Sequence, residues 1–478
     1  MSSLRGHRDA LRSLGSALPA IAAIVVVLAT YVFFATAGTW KFASAGPMDT
    51  HYANLAEGFR LGQLSMAVTA SPELQRLPDP YDVEARQRAG AAFIWDASFY
   101  KGKYYLYFSP LPVLIAHFPV RLLFGVYPAD GLVAVLFCTW SLFVAIALLL
   151  RLRRDVQLPI PFALCVLLVG IGNVVPFTLP NVFVHVLPVT LGMALTTTWA
   201  YATLRFLETR SVKHAAWMGV WLGLAIASRP NLAVLVPLMA LIFIATRRAR
   251  AALAALVPLV VTGSAMAWYN YARFGSVFEF GVRYQLGGRS MLNVTLCSLC
   301  NGPELLRFVN NVHHFVFFTP VMFSRFPFVE LQLSRLDYAV SYPASEPVAG
   351  IAALLPIVIV GTLFGLIGLS ARRPFGVPLK AGAAMLAAGW AILFGLSTCG
   401  GIAPRYSLDF MIIMTLGAIA CLAWGFAFLR DAGISIRPLR WLSIALAAYS
   451  ILLGFILGFA QAKDTFTRLN PSLVEKLW

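Results

Sequence analysis

The stretch from Ala17 to Ala37 reads ALPAIAAIVVVLATYVFFATA and carries no charged residue over 21 positions. A helix needs about 20 consecutive apolar residues to cross the hydrocarbon core of a bilayer. A secretory signal peptide has a shorter apolar region of about 7–15 residues, although Ala35-Thr36-Ala37 resembles its cleavage site. The stretch therefore predicts a first membrane-spanning helix.

Similar apolar runs recur along the whole chain of 478 residues, of which 59% are hydrophobic and 12% charged. Soluble domains are about 25% charged, so this composition excludes a soluble globular protein. We predict an all-α polytopic membrane protein that forms one integral membrane domain over residues 1–478, with about 11 transmembrane helices. The predicted spans are 17–37, 131–150, 159–175, 182–206, 215–228, 232–246, 253–271, 349–369, 381–397, 408–429 and 441–460.

The run Pro110–Gly125 is ambiguous, and the chain would have 12 spans if it crossed the membrane. Without it, six short segments of three Lys or Arg each, the N-terminus and five loops, fall on one side. Positively charged short loops mark the cytoplasmic side. We therefore predict that this run lies in the outer interface, that the N-terminus is cytoplasmic, and that the net charge of +17 needs no nucleic-acid partner.

Two long external loops, 38–128 and 272–348, hold most of the polar residues outside the spans. Both are rich in Trp and Tyr, which favour the membrane interface. We expect them to fold onto the bundle as interfacial helices.

The first loop contains a candidate acid, Asp49, followed by His51 and Tyr52. Tyr52, Leu55 and Phe59 share one face of a predicted amphipathic helix that begins here. Asp at this place is a favoured helix N-cap, and the same carboxylate could also serve in a site. Both interpretations stay open at the level of sequence.

The same loop continues with Trp95-Asp96 and then with Tyr100-Lys101-Gly102-Lys103-Tyr104-Tyr105. Gly102 is predicted to be the tip of a tight turn between two aromatic-rich arms. Lys101, Lys103 and Tyr105 could belong to an interfacial aromatic belt, or they could line a cationic groove for a lipid phosphate.

Two arginines stand at corners between apolar runs on the predicted outer side. Arg229 lies in Ser228-Arg229-Pro230-Asn231, and Arg405 precedes Tyr406 in Pro404-Arg405-Tyr406. Such an arginine can extend harmlessly to the interface, or it can face an aqueous cavity and bind phosphate through its guanidinium group.

The second long loop interleaves glycine, aromatic and polar residues in a way that suits sugar recognition, with Glu279, Arg283 and Tyr284 as candidates. Further on, Cys297 and Cys300 precede His313 and His314. Free thiols or a disulfide are the first expectation, and a structural zinc site is the second. The chain has no P-loop and no G-x-S-x-G or H-E-x-x-H motif, which disfavours nucleotide-driven transport and the common hydrolases.

Four short motifs, in this order, resemble the GT-C superfamily of polyprenyl-phosphate-sugar-dependent glycosyltransferases. They are Asp49-Thr-His-Tyr52, the run from Gly102 to Pro112 with its proline pair, Ser228–Asn231 and Arg405-Tyr406. The superfamily includes protein mannosyltransferases, lipid A aminoarabinose transferases and arabinofuranosyltransferases. The chain departs from many relatives at Thr50, where they carry a second acid, and at Ser109, where aminoarabinose transferases carry a lysine.

The resemblance implies an inverting transfer of a sugar from a polyprenyl-phosphate donor to a hydroxyl acceptor at the outer face of the cytoplasmic membrane. Asp49 would be the general base, and Asp96 a second acid that orients the acceptor or holds a divalent ion. Arg229, Arg405, Lys101 and Lys103 would bind the donor phosphate. His51, Tyr52, Tyr105, Glu279, Arg283, Tyr284 and Tyr406 would contact substrate. No cofactor is required, and the acceptor would be a lipid-linked glycan, a cell-wall polysaccharide, a glycolipid or a protein.

The main alternative is a secondary transporter or a lipid-linked-sugar flippase. Transporters commonly show repeated halves and interrupted helices near the membrane midplane, whereas the polar residues here collect on one predicted side. A glycan polymerase or ligase is a third possibility, although such enzymes commonly place their functional loop late in the chain.

Overall fold

The computed structural model describes residues 2–42, 50–292, 304–332, 346–370, 376–399 and 401–478, with backbone alone for residues 2–16 and Glu304. About 70% of it is helical. The first helices are α1 Ser2–Ala35, α2 His51–Arg60, α3 Pro72–Arg76, α4 Val83–Arg88, α5 Phe118–Phe124, α6 Asp130–Asp155, α7 Phe162–Ile171, α8 Val175–Thr178, α9 Val186–Thr209 and α10 Val212–Ser228. They are followed by α11 Leu235–Thr246, α12 Ala249–Phe274, α13 Glu304–Phe317, α14 Ile351–Leu354, α15 Pro356–Ser370, α16 Val377–Ser397, α17 Leu408–Asp431, α18 Arg437–Leu457, α19 Lys463–Leu469 and α20 Pro471–Leu477.

Each predicted span coincides with an apolar helical segment, so the fold class predicted from the sequence is confirmed. Six helices are long and apolar enough to cross a membrane, and they cover 17–35, 130–155, 249–274, 377–397, 404–431 and 437–457. Four shorter apolar helices accompany them, at 113–124, 162–178, 230–246 and 356–370. The total of 11 crossings stays a prediction.

Helix α17 forms the centre of the bundle and is buried along most of its length. Small residues let its neighbours approach closely, as is common between membrane helices. A Cβ atom at Gly361 of α15 would lie 2.4 Å from the Cβ atom of Ala418. A Cβ atom at Gly417 would lie 2.8 Å from the carbonyl oxygen of Gly382 in α16. Substitution of these glycines would therefore push α17 away from the helices beside it.

Helix α2 confirms the helix predicted after Asp49 but corrects its cap. The Thr50 hydroxyl accepts a hydrogen bond from the backbone N–H of Ala53 at 3.1 Å, so Thr50 is the N-cap. Tyr52 and Leu55 are fully buried within protein. The apolar face of α2 therefore packs on the bundle and does not rest on lipid.

The predicted turn at Gly102 is a β-hairpin of two short strands, β1 Ser98–Tyr100 and β2 Lys103–Tyr105. Lys101 and Gly102 both have positive φ, at 49° and 75°. Two left-handed residues in succession form the turn that matches the twist of an antiparallel pair. Glycine meets this requirement without strain. A second small hairpin joins β3 Val321–Met322 to β4 Val329–Glu330.

The ambiguous run Pro110–Gly125 forms a π-helical turn over Val113–His117 that continues as α5. Twelve helical residues are about 18 Å long, well short of the roughly 30 Å hydrocarbon core. Leu122, Leu123 and Phe124 expose most of their surface. These features support the interfacial placement predicted from the sequence.

Candidate functional site

A cavity of about 600 Å³ opens at the end of the bundle where α10 ends and α17 begins. The lining residues come from five separate parts of the chain. Trp95 and Asp96 precede strand β1, His185 precedes α9, and Arg229 and Asn231 follow α10. Gln285 and Arg289 belong to the second long loop, and Arg405 and Tyr406 precede α17. The volume lies in the range of small-molecule sites.

The Arg229 corner exists because proline follows the arginine. A residue before proline is pushed out of the helical region into extended conformation, and Arg229 has φ −140° and ψ 97°. Helix α10 therefore stops at Ser228. Gly192 of α9 makes room for the arginine, because a Cβ atom there would lie 2.8 Å from the Arg229 Cγ atom.

The guanidinium group of Arg229 is held by a buried carboxylate. Its Nη2 and Nε atoms donate to Oδ2 of Asp409 at 2.8 and 3.2 Å. The Asn231 side-chain amide donates to the same oxygen at 3.0 Å. The Asp409 side chain is completely buried in the first turn of α17. Three hydrogen bonds to one carboxylate oxygen therefore hold this corner, and Arg229 lines the cavity.

Arg405 forms the second corner, in a 3₁₀ turn at Pro404–Ser407. Its Nη1 atom donates to Glu346, whose side chain is 48% exposed. The ring of Tyr406 lies between the arginines, with its centroid 5.1 Å from Cζ of Arg229 and 5.3 Å from Cζ of Arg405. Arg229, Arg405 and Tyr406, all predicted as site residues from the sequence, therefore line the same cavity.

Asp96 lines the same cavity and is oriented by the second long loop. The side-chain amide of Gln285 donates to the Asp96 carboxylate at 2.5 Å. The backbone N–H of Asp96 donates to the Leu286 carbonyl oxygen at 2.9 Å. His51 lies next to it, since its Nε2 atom is 2.8 Å from the Trp95 carbonyl oxygen and must donate to it. Burial lowers the pKa of His51 below its usual 6.5, against smaller effects of Trp95, Asp96 and Asp130.

Several predicted residues lie away from the cavity lining. Lys101 and Lys103 are on the hairpin, where the Lys101 Nζ atom lies 5.2 Å from the centroid of the Tyr100 ring. Tyr284 packs on Tyr100 with ring centroids 4.6 Å apart, and Tyr105 packs on Phe274 at 5.3 Å.

Tyr52 and the predicted pair Glu279 and Arg283 are also outside the lining. The buried Tyr52 donates its hydroxyl hydrogen to the Val184 carbonyl oxygen. Arg283 Nε lies 3.9 Å from an oxygen of Glu279, with the arginine side chain 55% exposed.

Asp49, Cys297 and Cys300 lie outside the described residues, so their predicted roles stay predictions. His313 and His314 are on α13, and His314 is buried with its Nδ1 atom 2.7 Å from the Asn310 carbonyl oxygen. Within the described ranges no three His, Cys, Asp or Glu side chains come together as metal ligands.

The sequence did not reveal His185, Asn231, Arg289 and Asp409 as members of this arrangement. His185 lines the cavity with its ring near Phe108 and Phe183, at centroid distances of 6.5 and 5.9 Å. Asn231 was visible beside Arg229, but nothing in the sequence marks which distant carboxylate the two residues share. For the isolated His185 and Arg289 we find no sequence signal.

The likeness of this chain to known proteins is one of fold. No family model and no curated protein matches the chain. Among solved structures the chain is similar to ArnT from Cupriavidus metallidurans bound to undecaprenyl phosphate, with a TM-score of 0.44 and 14% sequence identity. The match covers 94% of this chain and 77% of that one.

Proposed function

We propose that the protein is an inverting GT-C-type glycosyltransferase that transfers a sugar from a polyprenyl-phosphate donor to a hydroxyl acceptor. The observation that carries this proposal is the meeting of Arg229, Arg405 and Tyr406 with the carboxylate of Asp96 in one cavity at an end of a membrane bundle. A lipid-linked phosphate and a polar acceptor would both have access to such a place.

Arg229 and Arg405 would supply positive charge to the departing polyprenyl phosphate. When the bond between the sugar and the phosphate breaks, negative charge develops on the polyprenyl phosphate. Preorganised donors aimed at that charge stabilise the transition state. Arg229 is fixed by Asp409 before any substrate arrives, whereas Arg405 can exchange its exposed partner Glu346 for the phosphate. The activated bond arrives on the lipid, so we propose that no nucleotide cofactor takes part.

The acceptor hydroxyl needs a base, and we assign this role to Asp49. Two residues after it in the chain, the Nε2 atom of His51 lies 2.8 Å from the carbonyl oxygen of Trp95, which lines the cavity. The Asp49 carboxylate would take the proton of the acceptor hydroxyl as the acceptor oxygen attacks the anomeric carbon from the side opposite the phosphate. Asp96, held by Gln285, would orient the acceptor or hold a divalent ion.

We further propose that the cavity faces the exterior of the cytoplasmic membrane. The basic residues at Arg151, Arg153, Arg154, Arg205 and Arg210 lie at the ends of α6 and α9, and the chain reverses between α9 and α10 before reaching Arg229. Short basic loops favour the cytoplasm, which supports an external position for Arg229.

The test is sugar transfer by the purified full-length protein from radiolabelled polyprenyl-phosphate sugars to isolated membrane glycans and lipids. A general base contributes about 10²–10⁴-fold, so Asp49→Asn should lose nearly all transfer while binding the donor normally. Glu84→Gln, an exposed position of helix α4 in the same loop, is the matched control and should retain full activity.

Retention of more than about a tenth of the wild-type rate by Asp49→Asn would contradict the assigned base. Movement of the labelled lipid across vesicles without any transfer would favour the flippase alternative.

A further inference from the structure

A second concave site lies at the end of the bundle opposite the cavity. Helix α10 has 17 residues. At the rise of an α-helix, its length is about 25 Å. Arg229 follows its last residue at the cavity, and His214 stands in its first turn. Near His214 the structure has a groove of about 590 Å³, which shares no lining residue with the cavity.

Tryptophans form the walls of this groove. Helices α6 and α10 both pack on α9 and leave a channel between them. Trp140 of α6 stands on one side, and Trp217 and Trp221 of α10 stand on the other. The Trp217 and Trp221 rings stack with centroids 5.6 Å apart, and Trp140 meets Trp221 edge-on at 6.0 Å. The three rings therefore form a continuous aromatic wall of this channel.

The channel ends in a charged cluster. Arg205 lines it, and its Nη1 atom lies 2.5 Å from Oε2 of Glu208. Arg151 Nε donates to Oε1 of the same glutamate at 2.9 Å. Two guanidinium groups therefore share one carboxylate, and Lys213 adds a further positive charge beside His214.

The positions of the tryptophans along α6 and α10 give the distance from the charged end of the channel to its apolar walls. Trp221 is seven positions from His214, and Trp140 is eleven positions from Arg151. At about 1.5 Å per helical residue, the walls extend roughly 10–16 Å inward from the charged end. With the charged end at the cytoplasmic surface, as proposed above, the cation cluster would lie at headgroup depth and the aromatic channel at acyl-chain depth. An unbalanced positive charge at headgroup depth attracts anionic lipids.

We propose that this groove binds one anionic phospholipid, with its phosphate at Arg205 and an acyl chain packed against Trp217 and the touching rings of Trp140 and Trp221. The lipid is distinct from the sugar donor, because it lies in the opposite leaflet. It would bind here whether or not the protein transfers a sugar.

The test titrates the full-length protein in detergent with phosphatidylglycerol and with phosphatidylcholine of the same acyl chains, and counts bound lipid by native mass spectrometry. Wild type should prefer phosphatidylglycerol. Arg205→Gln should weaken phosphatidylglycerol about fivefold, the usual worth of one basic residue near anionic lipid, and leave phosphatidylcholine unchanged. Glu208 keeps Arg151 in this variant, so the fold should be retained.

Two further variants separate charge from shape. Glu208→Gln should strengthen phosphatidylglycerol binding, because it frees both arginines. Trp221→Ala should weaken both lipids, because it removes one wall of the channel. A photoreactive phosphatidylglycerol should label peptides from α6 and α10.

Arg440→Gln is the matched control, since Arg440 lines a different basic depression with Arg153 and Arg154. It should leave phosphatidylglycerol binding unchanged. Equal binding of the two lipids, or equal losses in Arg205→Gln and Arg440→Gln, would show that general surface charge holds the lipid and would overturn the proposal.

Discussion

Arg229 and Arg405 line the same cavity and contact the same tyrosine ring, but their carboxylate partners differ. Asp409 is completely buried, whereas the side chain of Glu346 is 48% exposed. A buried ion pair is costly to break because the remaining charge cannot return to water. An exposed pair contributes only about 0–1 kcal/mol. Arg229 is therefore part of the framework, and Arg405 is free to change partner.

The largest expected effect comes from breaking the buried pair. Arg229→Ala should lower the free energy of unfolding by about 3–5 kcal/mol, because Asp409 is left buried without its cation. Thermal unfolding in detergent measures this change. The double variant Arg229→Met, Asp409→Leu should recover most of the stability, since apolar residues of similar volume commonly replace a buried pair without loss. Equal unfolding temperatures for wild type and Arg229→Ala would contradict a structural role for the buried Arg229–Asp409 pair.

Arg405→Ala should show the opposite pattern, with stability nearly unchanged and donor affinity reduced. Hydrogen bonds to charged groups contribute about 1.5–3 kcal/mol, so the KM for a polyprenyl-phosphate sugar should rise roughly 10–100-fold. Glu346→Gln should lower that KM, because it frees Arg405 from competition. An Arg405→Ala variant with unchanged KM and kcat would contradict a phosphate role for this corner.

A smaller effect is expected where His51 approaches Asp96. Burial lowers the pKa of His51 in the folded protein, so the unfolded chain binds the proton more readily. His51 therefore contributes stability above its unfolded pKa of about 6.5, and this contribution is lost as the pH falls below that value. Unfolding temperatures measured against pH should decline more steeply below about pH 6.5 in wild type than in His51→Gln. Parallel curves would show that this histidine titrates normally.

The smallest effect is expected for the hairpin lysines, which were candidates alongside the two arginines. Neither Lys101 nor Lys103 lines the cavity. Exposed substitutions usually change a free energy by less than about 0.5 kcal/mol. Lys101→Ala and Lys103→Ala should therefore each change the donor KM by no more than about twofold. A rise in the donor KM as large as that expected for Arg405→Ala would mean that the hairpin lysines contact the donor phosphate.

Local features of this fold could be predicted from the sequence because each rests on neighbouring residues. Apolar length located the helices, and the left-handed Lys101-Gly102 pair forms the predicted hairpin. Proline after Arg229 ended α10 where the corner was expected. The N-cap was misplaced by one residue, since Asp49 and Thr50 are both good caps and only the geometry of the first turn distinguishes them.

Partners that are distant in the chain could not be predicted in this way. Asp409 lies 180 positions from Arg229, and in the sequence it is one acid at the start of an apolar run. Gln285 is likewise 189 positions from Asp96. Hydropathy and spacing do not specify which helix ends meet. Each candidate arginine could therefore be recognised from the sequence, but its carboxylate partner, and whether that partner is buried or exposed, could not.

The separation of Arg229 from Asp409 also has a consequence for how the protein is made. A ribosome adds about 5–20 residues per second. The carboxylate therefore follows the arginine out of the ribosome only after roughly 10–40 s. During that interval the newly inserted arginine lacks the counter-ion that holds it in the folded protein. The membrane insertion machinery or a neighbouring lipid must tolerate the bare charge until the later helix arrives, so a truncated chain ending before α17 is expected to be recognised as incomplete and degraded.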